Sequence, residues 1–249
     1  MHLKSLFHFF ILFLLASCSY LPELTLDDTN IQSKLTETSD RIVLQPTSGS
    51  ASSALIFYPG GLVDPHVYLE WQDKLVTETP GLMIITVKMP ANLAVLGINN
   101  GLKVMEDYPE IENWYVGGHS LGGTMGAELI AGNPDKFKAL ILVASYPAND
   151  GLKNWTGAVL SVHASNDGLS TPTDIEAHKA ELPNAIVMTD MTGFSLPLQS
   201  KSHYYEILGG NHGQFGNYGV QENDSVATIT REAQQTQLVT VIKNFISAL

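Results

Sequence analysis

One cysteine in 249 residues leaves no internal disulfide and no multi-cysteine metal site to consider. Positive charge is scarce as well: 13 Lys and Arg stand against 25 Asp and Glu, a formal charge of −12. That sign argues against nucleic acid as a partner and against a membrane surface held by charge. The apolar run from Leu6 to Leu15 is about 10 residues long and interrupted by His8, well short of the roughly 20 that span a bilayer core. Histidines 163, 178, 203 and 212 lack paired ligand spacing, and no H-E-x-x-H occurs, so no metal is expected. "YPGGLVDP" lacks the third glycine of a dinucleotide fingerprint, so no cofactor is expected either.

What is present suits one well-cored domain. Hydrophobic residues make up 44% and charged residues 15%, a balance that excludes general disorder. From about residue 42, short apolar runs alternate with helical patterns. "SALIFYPGG", "GLMIITVKMP", "NWYVGG", "FKALILVASYP", "GAVLSVHASND" and "SHYYEILGG" read as strands, several without polar alternation. Between them, "DPHVYLEWQDKLVTE" reads as a helix capped by Asp64, and "ANLAVLGINNGLKVMEDYP" as one stopping at Pro109. "TPTDIEAHKAELP" is a helix with Thr171 or Thr173 as cap. The closing helix carries Leu238, Val241, Ile242, Phe245 and Ile246 on one face. This alternation predicts an α/β fold with a mostly parallel sheet covered by helices on both faces. Only about ten residues, Ala148 to Gly157, separate two strands where a lid might be inserted, so no sizeable cap domain is expected.

"VGGHSLGG" contains the G-x-S-x-G match Gly118-His119-Ser120-Leu121-Gly122. Chance alone supplies such a match in roughly 0.1 chains of this size, so context has to decide. Here a strand ends at Gly117 and a helix starts at Leu121, the strand–turn–helix setting of a nucleophile elbow. Glycines two before and two after the serine permit the tight turn, and the helix N-terminus points N–H groups at a developing oxyanion. A serine hydroxyl needs a base, and the base an orienting acceptor. In this architecture both follow later strands, acid before histidine. Asp167 lies just past strand 157–163 and His212 just past strand 202–208, where the topology requires them. Asp174, inside a helix, and Asp190, in a segment without an assigned element, compete less well for the acid role. His163, His178 and His203 fall within elements, and His119 occupies the variable position of the elbow. One oxyanion donor is expected to be the N–H of Leu121; the other comes from "FYPGGLVDP", with Gly61 favoured and Leu62 next.

These residues carry a resemblance. "FYPGGLVDP", "GGHSLGG", "SNDGL" and "GGNHGQFGNYG" make residues 42–249 similar to a small, lid-poor α/β-hydrolase near the dienelactone hydrolases. The resemblance implies an α/β-hydrolase fold and acyl chemistry on a small-molecule ester or related acyl compound, with Ser120, His212 and Asp167 as a triad. Dienelactone hydrolases carry cysteine as nucleophile, so Ser120 departs from them. Two other outcomes stay open: a non-catalytic binding protein on a hydrolase fold, or thioesterase, peptidase or acyltransferase chemistry by the same triad. The segment 187–203 is longer than a minimal connection and is able to reach over the site.

At the N-terminus, Lys4, the run Leu6–Leu15 and the small pair Ala16-Ser17 read as an export signal. Leu15-Ala16-Ser17-Cys18 also resembles a bacterial lipobox, which implies that Cys18 becomes a lipid-carrying N-terminus anchored by its acyl chains. The alternative is an ordinary secretory signal cleaved near Ser17, with Cys18 left as a free thiol. Ser19 after the cysteine resembles the pattern that permits transfer to the outer membrane where the source has two membranes. The predicted organisation is therefore a signal peptide at 1–17, a lipidated N-terminus and polar tether at 18–41, and a hydrolase-like domain at 42–249.

Overall fold

The computed structural model describes residues 20–22 and 30–249; Cys18 and the predicted signal peptide lie outside the described residues. Nine strands form one sheet: β1 Lys34–Glu37, β2 Arg41–Gln45, β3 Ser53–Tyr58, β4 Leu82–Val87, β5 Asn113–His119, β6 Ala139–Val143, β7 Ala158–Ala164, β8 Ala185–Val187 and β9 Lys201–Ile207. Their spatial order is β1-β2-β4-β3-β5-β6-β7-β9-β8. All pairs from β4 through β8 are parallel, while β1 and β2 add an antiparallel edge.

The runs without polar alternation are the fully buried strands: every residue of β4, β6 and β7 is buried. A strand hidden on both faces has no position for a solvated side chain, so its sequence is apolar throughout. Among the described residues five α-helices cover the sheet: α1 Leu69–Glu78, α2 Asn100–Glu106, α3 Leu121–Ala131, α4 Pro172–Ala177 and α5 Arg231–Ser247. On one face α1 and α5 set Trp71, Leu75, Leu238, Ile242 and Phe245 against Leu55, Phe57 and Leu160. On the other, Val104, Leu129, Ile130 and Ile175 meet Ile56, Tyr58, Val116 and Leu140. Alternate residues of β3 thus serve opposite layers, as a two-residue period requires. Thr171 caps α4 in a reciprocal capping box with Asp174.

Three expectations change. The predicted helix ending at Pro109 is instead two 3-10 turns, Pro90–Asn92 and Ala94–Leu96, followed by α2. Ala91 and Asn92 take left-handed φ values of 52° and 54°, which end any helix. The Asn92 carbonyl faces the loop after β3 and accepts the Leu62 N–H at 2.8 Å.

The predicted tether is in part built into the domain. β1 pairs with β2, and the Asp73 carboxylate accepts bonds from the N–H groups of Gln32 and Ser33 and from the Ser33 hydroxyl. Tyr20 also docks, donating its N–H to Leu62 O at 2.8 Å and accepting from Asp64 N at 2.9 Å. Its polar, aperiodic sequence hides this because an edge strand buries little: β1 is mostly exposed.

The segment 187–203 turns away from the ends of the strands that carry the site. Phe194 packs against Phe245 and His203, Ser195 N donates to His203 Nε2 at 3.0 Å, and Met191 O accepts from Asn244 Nδ2. These partners belong to α5 and to the start of β9, so the segment covers that end of the sheet, not Ser120. Its first residue, Val187, closes the short edge strand β8, which the sequence pattern did not indicate.

Candidate active site

Ser120, Asp167 and His212 follow β5, β7 and β9, all at the carboxyl ends of parallel strands. Ser120 joins β5 to α3 with φ 53° and ψ −128°, a left-handed conformation that costs a non-glycine residue on the order of 1–3 kcal/mol. Packing imposes it. Ser120 N donates to Val143 O at 3.0 Å, and Ser120 O accepts the Ser145 hydroxyl at 2.7 Å. A Cβ at Gly118 would lie 2.4 Å from the Gly122 carbonyl carbon, and one at Gly122 would lie 2.1 Å from Tyr58 O. A Cβ at Gly123 would lie 2.6 Å from Ser145 Oγ and 2.7 Å from Gly118 O. The turn is tight because three glycines let helix, strand and loop backbones touch.

Asp167 and His212 meet in the interior. The His212 Nδ1 lies 2.8 Å from Asp167 Oδ2, and both side chains are fully buried. The other carboxylate oxygen accepts the N–H groups of Leu169 at 2.8 Å and Ser170 at 2.7 Å. Those bonds satisfy the carboxylate, fix its plane, and leave it to accept the imidazole proton. His212 Nε2 is buried without a hydrogen-bond partner among the described residues, so its second nitrogen is uncommitted.

His119 supports this imidazole from below, the ring centroids 4.5 Å apart. Gly60 N donates to Tyr68 Oη at 3.0 Å, and the same hydroxyl lies 3.0 Å from His119 Nδ1. Burial, followed by the nearby His212, pushes the His119 pKa well below its ordinary value, so this second histidine stays neutral beneath the first. His163 lies in β7, His178 at the end of α4 with its ring stacked on Tyr146, and His203 in β9.

Of the predicted oxyanion donors, the Leu62 N–H is already spent on Asn92 O, and its backbone takes φ 62°. Gly61 lies against Leu121, since a Cβ there would sit 3.1 Å from Leu121 Cδ2 and 3.6 Å from its Cβ. The two favoured donors therefore belong to adjoining backbone segments, at the start of α3 and in the loop after β3. Beside them opens a cavity of about 250 Å³ lined by Ser120, Leu121, Thr124, Ser145, Tyr146, Leu169 and Ser170. Ser145 and Tyr146 were missed in the sequence because they follow β6, a strand that contributes no reactive group; their sole signal was position at a carboxyl strand end.

A strand–turn–helix serine with a buried Asp–His pair on later strands of a largely parallel sheet defines a class of fold. The sequence matches the model of the Alpha/beta hydrolase family over residues 54–236, and the chain belongs to that family. Among solved structures it is similar to Est1E from Butyrivibrio proteoclasticus, with 14% identity and a TM-score of 0.59, covering 86% of this chain and 97% of that one. It is also similar to the esterase domain of a Rhodothermus marinus protein, with 10% identity, a TM-score of 0.59, and coverage of 87% and 98%. A third, MGS-MChE2, an alpha/beta hydrolase enzyme from the metagenome of lagoon sediments at Mar Chica, Morocco, has 14% identity and a TM-score of 0.51, covering 73% and 90%. At these identities the likeness is one of fold. No curated protein matches the sequence.

The glycine contacts make a paired prediction. Gly122→Ala drives a methyl into the backbone carbonyls of Tyr58 and Pro59 and is expected to cost about 3 kcal/mol or more. Gly132→Ala, at φ −77° with its nearest neighbour 3.7 Å away, is expected to change stability by under about 1 kcal/mol. Denaturant unfolding of both variants measures the contrast, and equal costs would contradict the packing described.

Proposed function

We propose that this chain is a serine hydrolase of small carboxylic esters or related acyl compounds. The observation that carries the reading is the fully buried Asp167–His212 pair, placed after the strands that follow an elbow serine. In the proposed reaction, Ser120 Oγ attacks the substrate carbonyl and His212 Nε2 takes its proton. Asp167 holds the Nδ1–H, fixes the tautomer and stabilises the imidazolium. The N–H groups of Leu121 and Gly61 receive the oxyanion, helped by the positive end of α3. Collapse expels the alcohol, which leaves with the proton from His212, and Ser120 retains the acyl group. Water, deprotonated by the same imidazole, then releases the acid.

Size supports small substrates. A cavity of about 250 Å³ falls below the roughly 300–1,000 Å³ common for ligand pockets. Leu121 and Leu169 offer apolar contact, while Thr124, Ser145, Tyr146 and Ser170 line the rest, a poor match to a long alkyl chain.

We further propose that the protein is exported and anchored through lipid on Cys18. The pattern Leu15-Ala16-Ser17-Cys18 supports it.

Two tests follow. On p-nitrophenyl acetate and butyrate, Ser120→Ala is expected to lower kcat by roughly three decades or more, with Asp167→Asn also severely impaired. The wild type should lose kcat/KM from butyrate to octanoate. Retention of the wild-type rate by Ser120→Ala would sink the mechanism, whereas thioester or peptide turnover without ester turnover would redirect the substrate class. For the anchor, intact mass of protein extracted from membranes is expected to show an acylated N-terminal Cys18; an unmodified thiol there would remove that proposal.

A further inference from the structure

Two loops carry the acid and the base, and each has the same local pattern: Asn166-Asp167-Gly168 and Asn211-His212-Gly213. Both are gripped by one tripeptide from the loop before α5, Asp224-Ser225-Val226. The Asp224 carboxylate accepts four backbone N–H groups. Its Oδ1 takes Gly168 at 3.1 Å, His212 at 3.3 Å and Ser225 at 2.9 Å, and its Oδ2 takes Gly213 at 2.9 Å. The two asparagines complete the grip. Asn211 Nδ2 donates to Ser225 O at 2.7 Å, and Asn166 Nδ2 donates to Val226 O at 3.1 Å. The residue before each reacting side chain is thus held by its amide, and the residue after it by the shared carboxylate.

The approach is close. A Cβ at Gly168 would lie 2.4 Å from Asn223 O and 2.9 Å from Ser225 N, and Asn223 adopts φ 69° to deliver the next residue. The acid and base loops also touch directly, through Asn166 N to Gly210 O at 2.9 Å and Gly209 N to Ser165 Oγ at 2.8 Å. Even so, Asp224 is the side chain that bonds the backbone of both.

We propose that Asp224 is a positioning residue that sets the distance and angle between Asp167 and the His212 ring. The proposal rests on the triad reading above. Charge-assisted bonds to N–H groups are stronger than neutral ones, so a carboxylate fixes two loops better than an amide. Asn in its place presents an NH₂ group where an oxygen is needed, turning one acceptance into a donor–donor clash. The imidazole then loses register with Asp167, and displacement of about 1 Å can cost on the order of 100-fold in rate.

The experiment uses the purified full chain, with Asp224→Asn and Asn166→Ala, on p-nitrophenyl butyrate well below each thermal midpoint. Asp224→Asn is expected to lower kcat roughly 10- to 100-fold with KM changed by less than about threefold. The far-downfield proton resonance of His212 Nδ1–H should weaken or move in the same variant. Asn166→Ala, which removes the bond to Val226 O and the one accepted from Ser165 Oγ, should lower kcat in the same sense by a smaller factor, and it decides the matter where Asp224→Asn does not fold. A lowered thermal midpoint with unchanged kcat and unchanged resonance would reduce Asp224 to a loop staple and overturn the proposal. An unreactive Ser120 in the wild type would remove the triad reading and this proposal together; a reactive wild type with unimpaired variants removes this one alone.

Discussion

The contact on which the site depends is the one between Gly122 and the carbonyls of Tyr58 and Pro59. With no side chain at Gly122, the first turn of α3 presses directly on the loop leaving β3. That contact brings Gly61 beside Leu121 and leaves Ser120 no relaxed backbone conformation between β5 and the helix. A strained serine, a helix N-terminus and the Gly61 backbone thus meet through one close approach. The strain is sustained because strand pairing, the Ser145 hydroxyl and the helix all hold Ser120 at once.

The buried Asp167–His212 pair is the second demand on the structure. A carboxylate taken out of water is costly unless its oxygens are bonded, and here Leu169 N, Ser170 N and the imidazole meet them. The surroundings spare the pair a competing charge. His119 lies against the His212 ring, and burial keeps it neutral, so it adds no second charge beside that imidazole. The Tyr68 hydroxyl ties that neutral histidine to Gly60, linking the floor of the site to the loop after β3.

Much of this was legible in the sequence, for identifiable reasons. Strands buried on both faces announce themselves as apolar runs, and helix α5 by its spaced Leu238, Val241, Ile242 and Phe245. Ser120, Asp167 and His212 were readable because turn glycines and strand ends restrict where such groups can stand. The structure sets these residues after β5, β7 and β9 and bonds Asp167 to His212. Elements that bury little, β1 and β8, left no pattern, and residues 91–109 carried a helical spacing that left-handed Ala91 and Asn92 interrupt. Leu62 illustrates the limit for backbone donors: whether an N–H is free depends on a partner, Asn92 O, thirty residues away. Asp224 escaped for the same reason, since its bonds are to main chain, although the repeated Asn-x-Gly around Asp167 and His212 marked two loops held alike.

The central claim is that Ser120 is an activated nucleophile. Its most direct test is intact-protein mass spectrometry of the full chain after exposure to a fluorophosphonate, with peptide mapping, for the wild type and Ser120→Ala. The account predicts a single adduct on Ser120, absent from the variant. A folded wild type that takes no adduct, or takes one elsewhere, would contradict it.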